Sequence, residues 1–262
     1  MEPINEMATA STSNVAQYYE EHGYVDFEKL LTSQEVAELC DRTYKIAEGL
    51  APEFPKENLE LEPGANGVYS VKTVRKINNC AESDPVFMKY ATMDRIVDIV
   101  ERLIGPDIKL FGSQLFMKPP GGVEKPYHQD SPYFSIEPMS LVTCWIALDE
   151  VTIENGCLWV VPGSHRLGPL PHSERWFVGD REDMRVPDSA FERSTEVPIT
   201  LSPGSCSFHH SLILHMSHPN KTNTSRRGLA FHYMTSRSRW TNPDKPQPAY
   251  RLLRGSEYPG CV

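Results

Sequence analysis

The chain has 262 residues, enough to bury a substantial core, and its 39% hydrophobic and 23% charged residues are far from a disordered composition. Its 35 acidic residues outnumber 26 basic ones, and the net charge of −9 argues against nucleic acid or an anionic membrane as the main partner, since both call for a basic face. No apolar run reaches the roughly 18 residues of a membrane span. Residues 1–14 lack the basic and apolar blocks of a signal peptide, and the six cysteines show neither CxxC nor zinc-finger spacing, so they read as reduced thiols of a cytoplasmic protein.

Residues 1–13 are predicted to be a frayed tail, 14–22 a short helix stopped by Gly23, and 24–27 a short strand. Thr32-Ser33-Gln34-Glu35 is a capping box that opens an amphipathic helix. Its apolar face is read as Val36, Leu39, Cys40, Tyr44 and Ile46 or Ala47, and Gly49 closes it. Residues 51–68, rich in Pro, Glu and Gly, are expected to form an exposed loop with solvated Glu57, Glu60 and Glu62. Asp84-Pro85 starts a second helical stretch, in which Ile96, Ile99, Val100, Leu103 and Ile104 make a stripe ending at Gly105-Pro106.

Beyond residue 107, short β-rich runs at 109–117, 141–148, 157–161, 205–210 and 228–234 alternate with Pro, Gly and Asn turns. Asn155-Gly156 before Cys157 predicts a hairpin. Residues 166–196 are polar and irregular, with Trp176 and Phe177 embedded, and are long enough to serve as a lid. With no composition break, 1–262 reads as one domain: a mainly β sandwich or barrel with N-terminal helices packed on it.

The chemistry centres on Tyr127-His128-Gln129-Asp130. In a strand, positions i and i+2 share a face, so His128 and Asp130 can aim at one point. His215 ends the apolar run 212–214 and supplies a third donor. Two histidines and one carboxylate on one side of a metal are the facial triad of non-heme iron(II) oxygenases, which leaves three positions open. Arg226, eleven residues after His215, stands at the start of an apolar strand, where it can hold the far carboxylate of a dicarboxylic co-substrate in a two-pronged pair. Ser217 shares the His215 face, whereas Arg227 faces away from Arg226.

These segments together resemble the phytanoyl-CoA dioxygenase-like family of iron(II)/2-oxoglutarate-dependent oxygenases. The resemblance also rests on Trp145-Ile146-Ala147-Leu148-Asp149, on Glu154-Asn155-Gly156-Cys157-Leu158 leading to Val161-Pro162-Gly163-Ser164-His165-Arg166, and on residues 215–226 and 253–262. It implies a double-stranded β-helix, a cupin-like jelly roll. It implies Fe(II) held by His128, Asp130 and His215, with 2-oxoglutarate and O2 as co-substrates. Arg226 and Ser217 match the groups that bind the distal carboxylate, and Trp145 matches a residue of the co-substrate pocket. Gln114 and Lys76 fall where the family places further contacts, with Arg75 or Lys72 as alternatives to Lys76. The implied reaction hydroxylates an unactivated C–H bond of a small-molecule substrate and releases succinate and CO2. Desaturation is the alternative outcome, and a non-catalytic relative the alternative class. The shortage of basic residues favours a small free metabolite over a CoA ester.

Other conspicuous residues have plainer readings. One of His209 and His210 is expected to pack near the site and the other to be buried and hydrogen-bonded. His165 is read as stabilising its turn, Trp159 as core, and Trp176 and Trp240 as lid or loop anchors. Tyr133 and Phe134 are read as either lining the substrate pocket or packing behind it.

Overall fold

A computed structural model of the chain describes residues 12–178 and 181–262. The first helix, α1 (Thr12–His22), begins two residues inside the predicted tail, whose remainder lies outside the described residues. Helix α2 (Ser33–Ala47) carries the predicted capping box: Thr32 Oγ1 accepts from the Glu35 amide, and the Glu35 carboxylate accepts from the Thr32 amide at 2.8 Å. Its buried face is Val36, Leu39, Thr43, Ile46 and Ala47, whereas Tyr44 is 48% exposed. Val36, Leu39, Ile46 and Ala47 are buried as expected, but Thr43 takes the inward place expected of Tyr44, its hydroxyl donating to the Leu39 carbonyl at 2.7 Å. Helices α3 (Cys80–Ser83), α4 (Pro85–Ala91) and α5 (Asp94–Ile104) follow. Asp84 caps α4 through the Val86 amide, and α5 buries Ile96, Val97, Ile99 and Val100.

The strands are β1 (Tyr24–Phe27), β2 (Leu59–Leu61), β3 (Val74–Asn78), β4 (Ile108–Lys118), β5 (Lys125–His128), β6 (Ile136–Glu137), β7 (Val142–Ala147) and β8 (Leu158–Val160). They continue as β9 (Glu174–Val178), β10 (Arg181–Arg185), β11 (Val197–Ile199), β12 (Cys206–His210), β13 (His215–Ser217), β14 (Arg226–Thr235), β15 (Arg239–Trp240) and β16 (Arg251–Arg254). The larger sheet runs β1–β12–β7–β14–β4–β3–β2, with β16 also on β4, and the smaller runs β11–β8–β13–β5.

Strand alternation separates two cores. Cys144, Ile146, Phe208, Leu229 and Phe231 of the larger sheet pack with the helices in one cluster. Their neighbours Trp145, Ala147 and Ala230 face the other way and pack with Val160, Ile199 and Ile213. The molecule is therefore a double-stranded β-helix with its N-terminal helices on the outer face of one sheet, as the resemblance implied.

Three local expectations are corrected. Asn155-Gly156 does not close a hairpin, because β7 and β8 belong to different sheets and the turn carries the chain between them. Asn155 shapes that turn by accepting from the Thr152 amide and donating to the Glu150 carbonyl. Glu60 is not in a solvated loop: it lies in β2, paired with β3, and takes Lys76 and Arg75 as ion partners. Residues 166–196 are not irregular throughout, for β9 and β10 pair as an antiparallel hairpin.

Candidate metal centre and co-substrate site

His128 ends β5, and Asp130 lies two residues on in right-handed helical backbone, opening the turn Ser131–Tyr133. A turn, and not strand alternation, therefore brings the carboxylate back over the imidazole. Gln129, fully buried between them, pins this turn: its amide nitrogen donates to the carbonyls of Gly168 and Leu212, and its oxygen accepts from the Leu170 amide. The Asp130 and Ser131 amides both donate to the Ser211 carbonyl. His215, first in β13, pairs directly opposite His128.

The three side chains meet. One ligand atom from each of His128, Asp130 and His215 lies within 4.8 Å of the others, and both Nε2 atoms are 3.7 Å from Asp130 Oδ1. Each histidine anchors its other nitrogen two residues back, His128 Nδ1 at 2.9 Å from the Pro126 carbonyl and His215 Nδ1 at 3.1 Å from that of Ile213. With Nδ1–H donating, each Nε2 lone pair faces the cluster, the tautomer a metal ligand requires. Burial pushes the His128 imidazolium well below its ordinary range, so the ring is neutral. Burial alone would raise Asp130, but the rings of His215, His232 and His209 outweigh it and hold the carboxyl low. Two imidazole nitrogens and one carboxylate oxygen on one side of a point suit an Fe(II) ion.

The cluster lines a cavity of about 590 Å3 that also contains Arg226, Ser217, Trp145, Gln114 and Lys76. Arg226 is 2% exposed. One of its terminal nitrogens donates to the Gly156 carbonyl at 2.8 Å, its guanidinium lies 5.3 Å from the Trp145 ring, and Nε has no hydrogen-bond partner. Burial lowers its pKa to about 10, still cationic at neutral pH. Arg227 points the opposite way and makes a two-pronged pair with Asp149 at 2.8 and 2.6 Å. Ser217 Oγ accepts from Lys118 Nζ at 2.8 Å, which leaves the hydroxyl proton for another acceptor. Lys76 lines the cavity with its Nζ 2.9 Å from Glu60, and Lys72 is exposed. Tyr133 and Phe134 both line the cavity. His209 is the histidine beside the site, 3.9 Å from Asp130, while His210 Nδ1 accepts from the Leu212 amide.

Several residues escaped the sequence reading. Lys118 is a second basic side chain at the Arg226 end, its pKa pushed well below the ordinary range by burial and by Arg226. Its signal was a charged residue at an inward position of β4, two after Phe116. Gly228 is required because a Cβ there would lie 1.8 Å from Trp145 Cζ2, a close approach that a glycine inside a strand signals. Gly156, at φ +83°, would press a Cβ to 2.3 Å from the His218 carbonyl. His232 of β14 also lines the cavity. Across the mouth, the β9–β10 hairpin is held by the Lys125–Asp183 ion pair, by Tyr133 donating to the Met184 carbonyl at 3.0 Å, and by Trp176 donating to Glu124 at 2.9 Å.

A double-stranded β-helix with this triad and a buried arginine across one cavity is the architecture of iron- and 2-oxoglutarate-dependent oxygenases. A family model described as phytanoyl-CoA dioxygenase (PhyH) matches residues 19–228, and the chain belongs to that family. The chain is 27% identical over 228 residues to the peroxisomal phytanoyl-CoA dioxygenase of Homo sapiens, covering 84% of this chain and 67% of that one. It is 28% identical over 235 residues to a probable phytanoyl-CoA dioxygenase of Caenorhabditis elegans, covering 83% and 73%. Among solved structures, EctD from S. alaskensis with bound Fe superposes with a TM-score of 0.74 at 23% identity, covering 97% of this chain and 90% of that one. The epimerase SnoN in complex with Fe3+, alpha ketoglutarate and nogalamycin RO superposes at 0.71 and 22%, covering 94% and 95%. Among the described residues no helix is long and apolar enough to cross a membrane.

Proposed function

We propose that this oxygenase hydroxylates an unactivated C–H bond of a small free metabolite, consuming 2-oxoglutarate and O2 and releasing succinate and CO2. His128, Asp130 and His215 hold the Fe(II); Arg226 and Ser217 receive the distal carboxylate of 2-oxoglutarate; Trp145, Gln114 and Lys76 line its pocket. Arg226 carries the reading. A guanidinium 2% exposed, with an unpaired Nε and with the Lys118 amine donating to the neighbouring Ser217, calls for an anion in the cavity it shares with the triad.

An Fe(II) held by His128, Asp130 and His215 would supply the oxidising chemistry for the C–H bond, with O2 as the oxidant and 2-oxoglutarate as the co-reductant that leaves as succinate and CO2. The chain's own residues do the rest. The Pro126 and Ile213 carbonyls hold each Nδ1 proton, so both Nε2 lone pairs stay aimed inward. Lys118 donates to Ser217 Oγ and so turns the hydroxyl proton toward an incoming carboxylate. The Trp145 ring, 3% exposed, keeps water from the arginine. Residues 166–196, with the β9–β10 hairpin, act as a lid over the open face. At the mouth Glu60, Glu62, Glu124, Glu182 and Asp183 outnumber Arg75, Lys76 and Lys125, which disfavours a polyanion such as a CoA thioester. The six free thiols support a cytoplasmic setting and the continuous fold a single catalytic domain.

The test is a metabolite panel incubated with protein, Fe(II), 2-oxoglutarate and O2, scored by succinate and by a product one oxygen heavier. A substrate should raise succinate in step with product, and Asp130→Ala should abolish both. Unchanged turnover in Asp130→Ala would contradict the assignment.

A further inference from the structure

A second cavity of about 440 Å3 adjoins the first, and the two share the wall residues Gln114, Tyr133, Phe134 and His232. Its lining gathers five aromatic rings, Phe111, Tyr133, Phe134, Trp240 and Tyr250, beside polar residues that include Glu82, Lys245 and Arg251. Phe111 lies 4.6 Å from Phe134 and 5.5 Å from Tyr250 between ring centroids, the latter pair nearly parallel at 21°, and Trp240 joins them. Paired flat rings of this kind favour another flat ring.

The strands build this chamber by departing from regularity. Gly112 pairs with His232 and Leu110 with Tyr233, so Phe111 is the extra residue of a β-bulge in β4. The bulge turns Phe111 out of the helix-facing core and into the cavity. Gly112 keeps the floor open, since a Cβ there would meet only Glu82 Oε1, at 3.9 Å. Where the chambers meet stands His232, 5% exposed. Its Nδ1 is 2.8 Å from Thr143 Oγ1, and its Nε2 has no hydrogen-bond partner. Buried polar atoms in folded proteins are almost always paired, so an unpaired one on a cavity wall marks a place for a ligand atom. Burial also lowers the His232 pKa, and a neutral ring can bond a neutral group.

We propose that the second cavity is a substrate subsite for a flat apolar ring system, with His232 Nε2 hydrogen-bonding a heteroatom of the substrate where it passes between the chambers. The substrate class is then an elongated, ring-bearing molecule whose carbonyl or hydroxyl lies between the ring and the carbon presented to the metal. This rests on the first cavity being the oxidation site.

The probe is prodan, a neutral naphthalene ketone whose emission shifts to the blue in apolar surroundings. It is titrated anaerobically into protein loaded with Fe(II) and 2-oxoglutarate. Wild-type protein should bind it saturably with a blue shift. His232→Leu should weaken binding about tenfold, the loss of one buried hydrogen bond, and His232→Gln should recover most of it. Gly112→Leu, which fills the floor on unstrained backbone, should abolish binding, while calorimetry shows its 2-oxoglutarate affinity unchanged. Absence of saturable binding by wild-type protein that binds 2-oxoglutarate overturns the subsite alone. So does equal affinity in His232→Leu and Gly112→Leu. Failure of wild-type protein to bind 2-oxoglutarate overturns the proposed function, and the subsite with it.

Discussion

Replacing Arg226 with alanine should separate co-substrate binding from folding. In the protein without co-substrate the side chain donates to the Gly156 carbonyl and packs against Trp145, while its Nε has no hydrogen-bond partner among the described residues. Losing the bond costs about 1–2 kcal/mol, offset by relief of the buried charge, so stability to urea should move by less than about 2 kcal/mol. With 2-oxoglutarate bound the balance changes, because a buried carboxylate loses its cation. That costs about 3–5 kcal/mol, a rise in Kd of roughly 150- to 4,000-fold. Arg226→Lys should fall between, keeping the charge without the fork. Arg227→Ala breaks the Asp149 pair on the opposite face and should lower stability while leaving 2-oxoglutarate affinity unchanged. The assay is anaerobic calorimetric titration of 2-oxoglutarate into the metal-loaded variants, beside urea unfolding. A crippled Arg227→Ala with a mild Arg226→Ala would refute the register on which Arg226 and Ser217 are both assigned.

Gly228→Ala should destabilise the fold by about 1–3 kcal/mol and weaken 2-oxoglutarate binding, because the new methyl displaces the Trp145 ring; wild-type values for both would contradict this contact. Burial pushes His210 down to about 4 from 6.5, so the unfolded chain takes up its proton first as pH falls. Stability should therefore drop between those values, by up to about 1.4 kcal/mol per pH unit, and His210→Gln should flatten the slope seen in urea unfolding. Asp183→Ala removes the ion pair to Lys125 and should speed amide exchange across Glu174–Val178 and Arg181–Arg185; equal exchange would argue against a lid held by that pair.

The parts of the site legible in the sequence are those whose spacing survives folding. His128, Asp130, His215 and Arg226 converge on one cavity, and for the first pair a turn pinned by Gln129, not strand alternation, brings the two ligands together. Arg226 and Arg227 divide between cavity and Asp149 because they do lie in a regular strand. Residues that act across sheets were harder to see. Lys118 reaches Ser217, 99 positions away, and nothing local in a single strand announces that meeting. Phe111 gains its place from a bulge that shifts the alternation of β4 by one residue, which no periodicity shows, whereas His232 reaches the cavity by the regular alternation of β14. Asn155-Gly156 carries a true turn signal, but whether its flanking strands pair with each other is a property of the whole jelly roll.

Whether His128, Asp130 and His215 form one metal centre is decided by a crystal structure grown anaerobically with Fe(II) and 2-oxoglutarate. The metal should lie about 2.0–2.3 Å from Nε2 of His128, Nε2 of His215 and one carboxylate oxygen of Asp130, with the distal carboxylate of 2-oxoglutarate in the fork of Arg226. Iron bound at other residues, or a 2-oxoglutarate whose distal carboxylate lies away from Arg226, would contradict it.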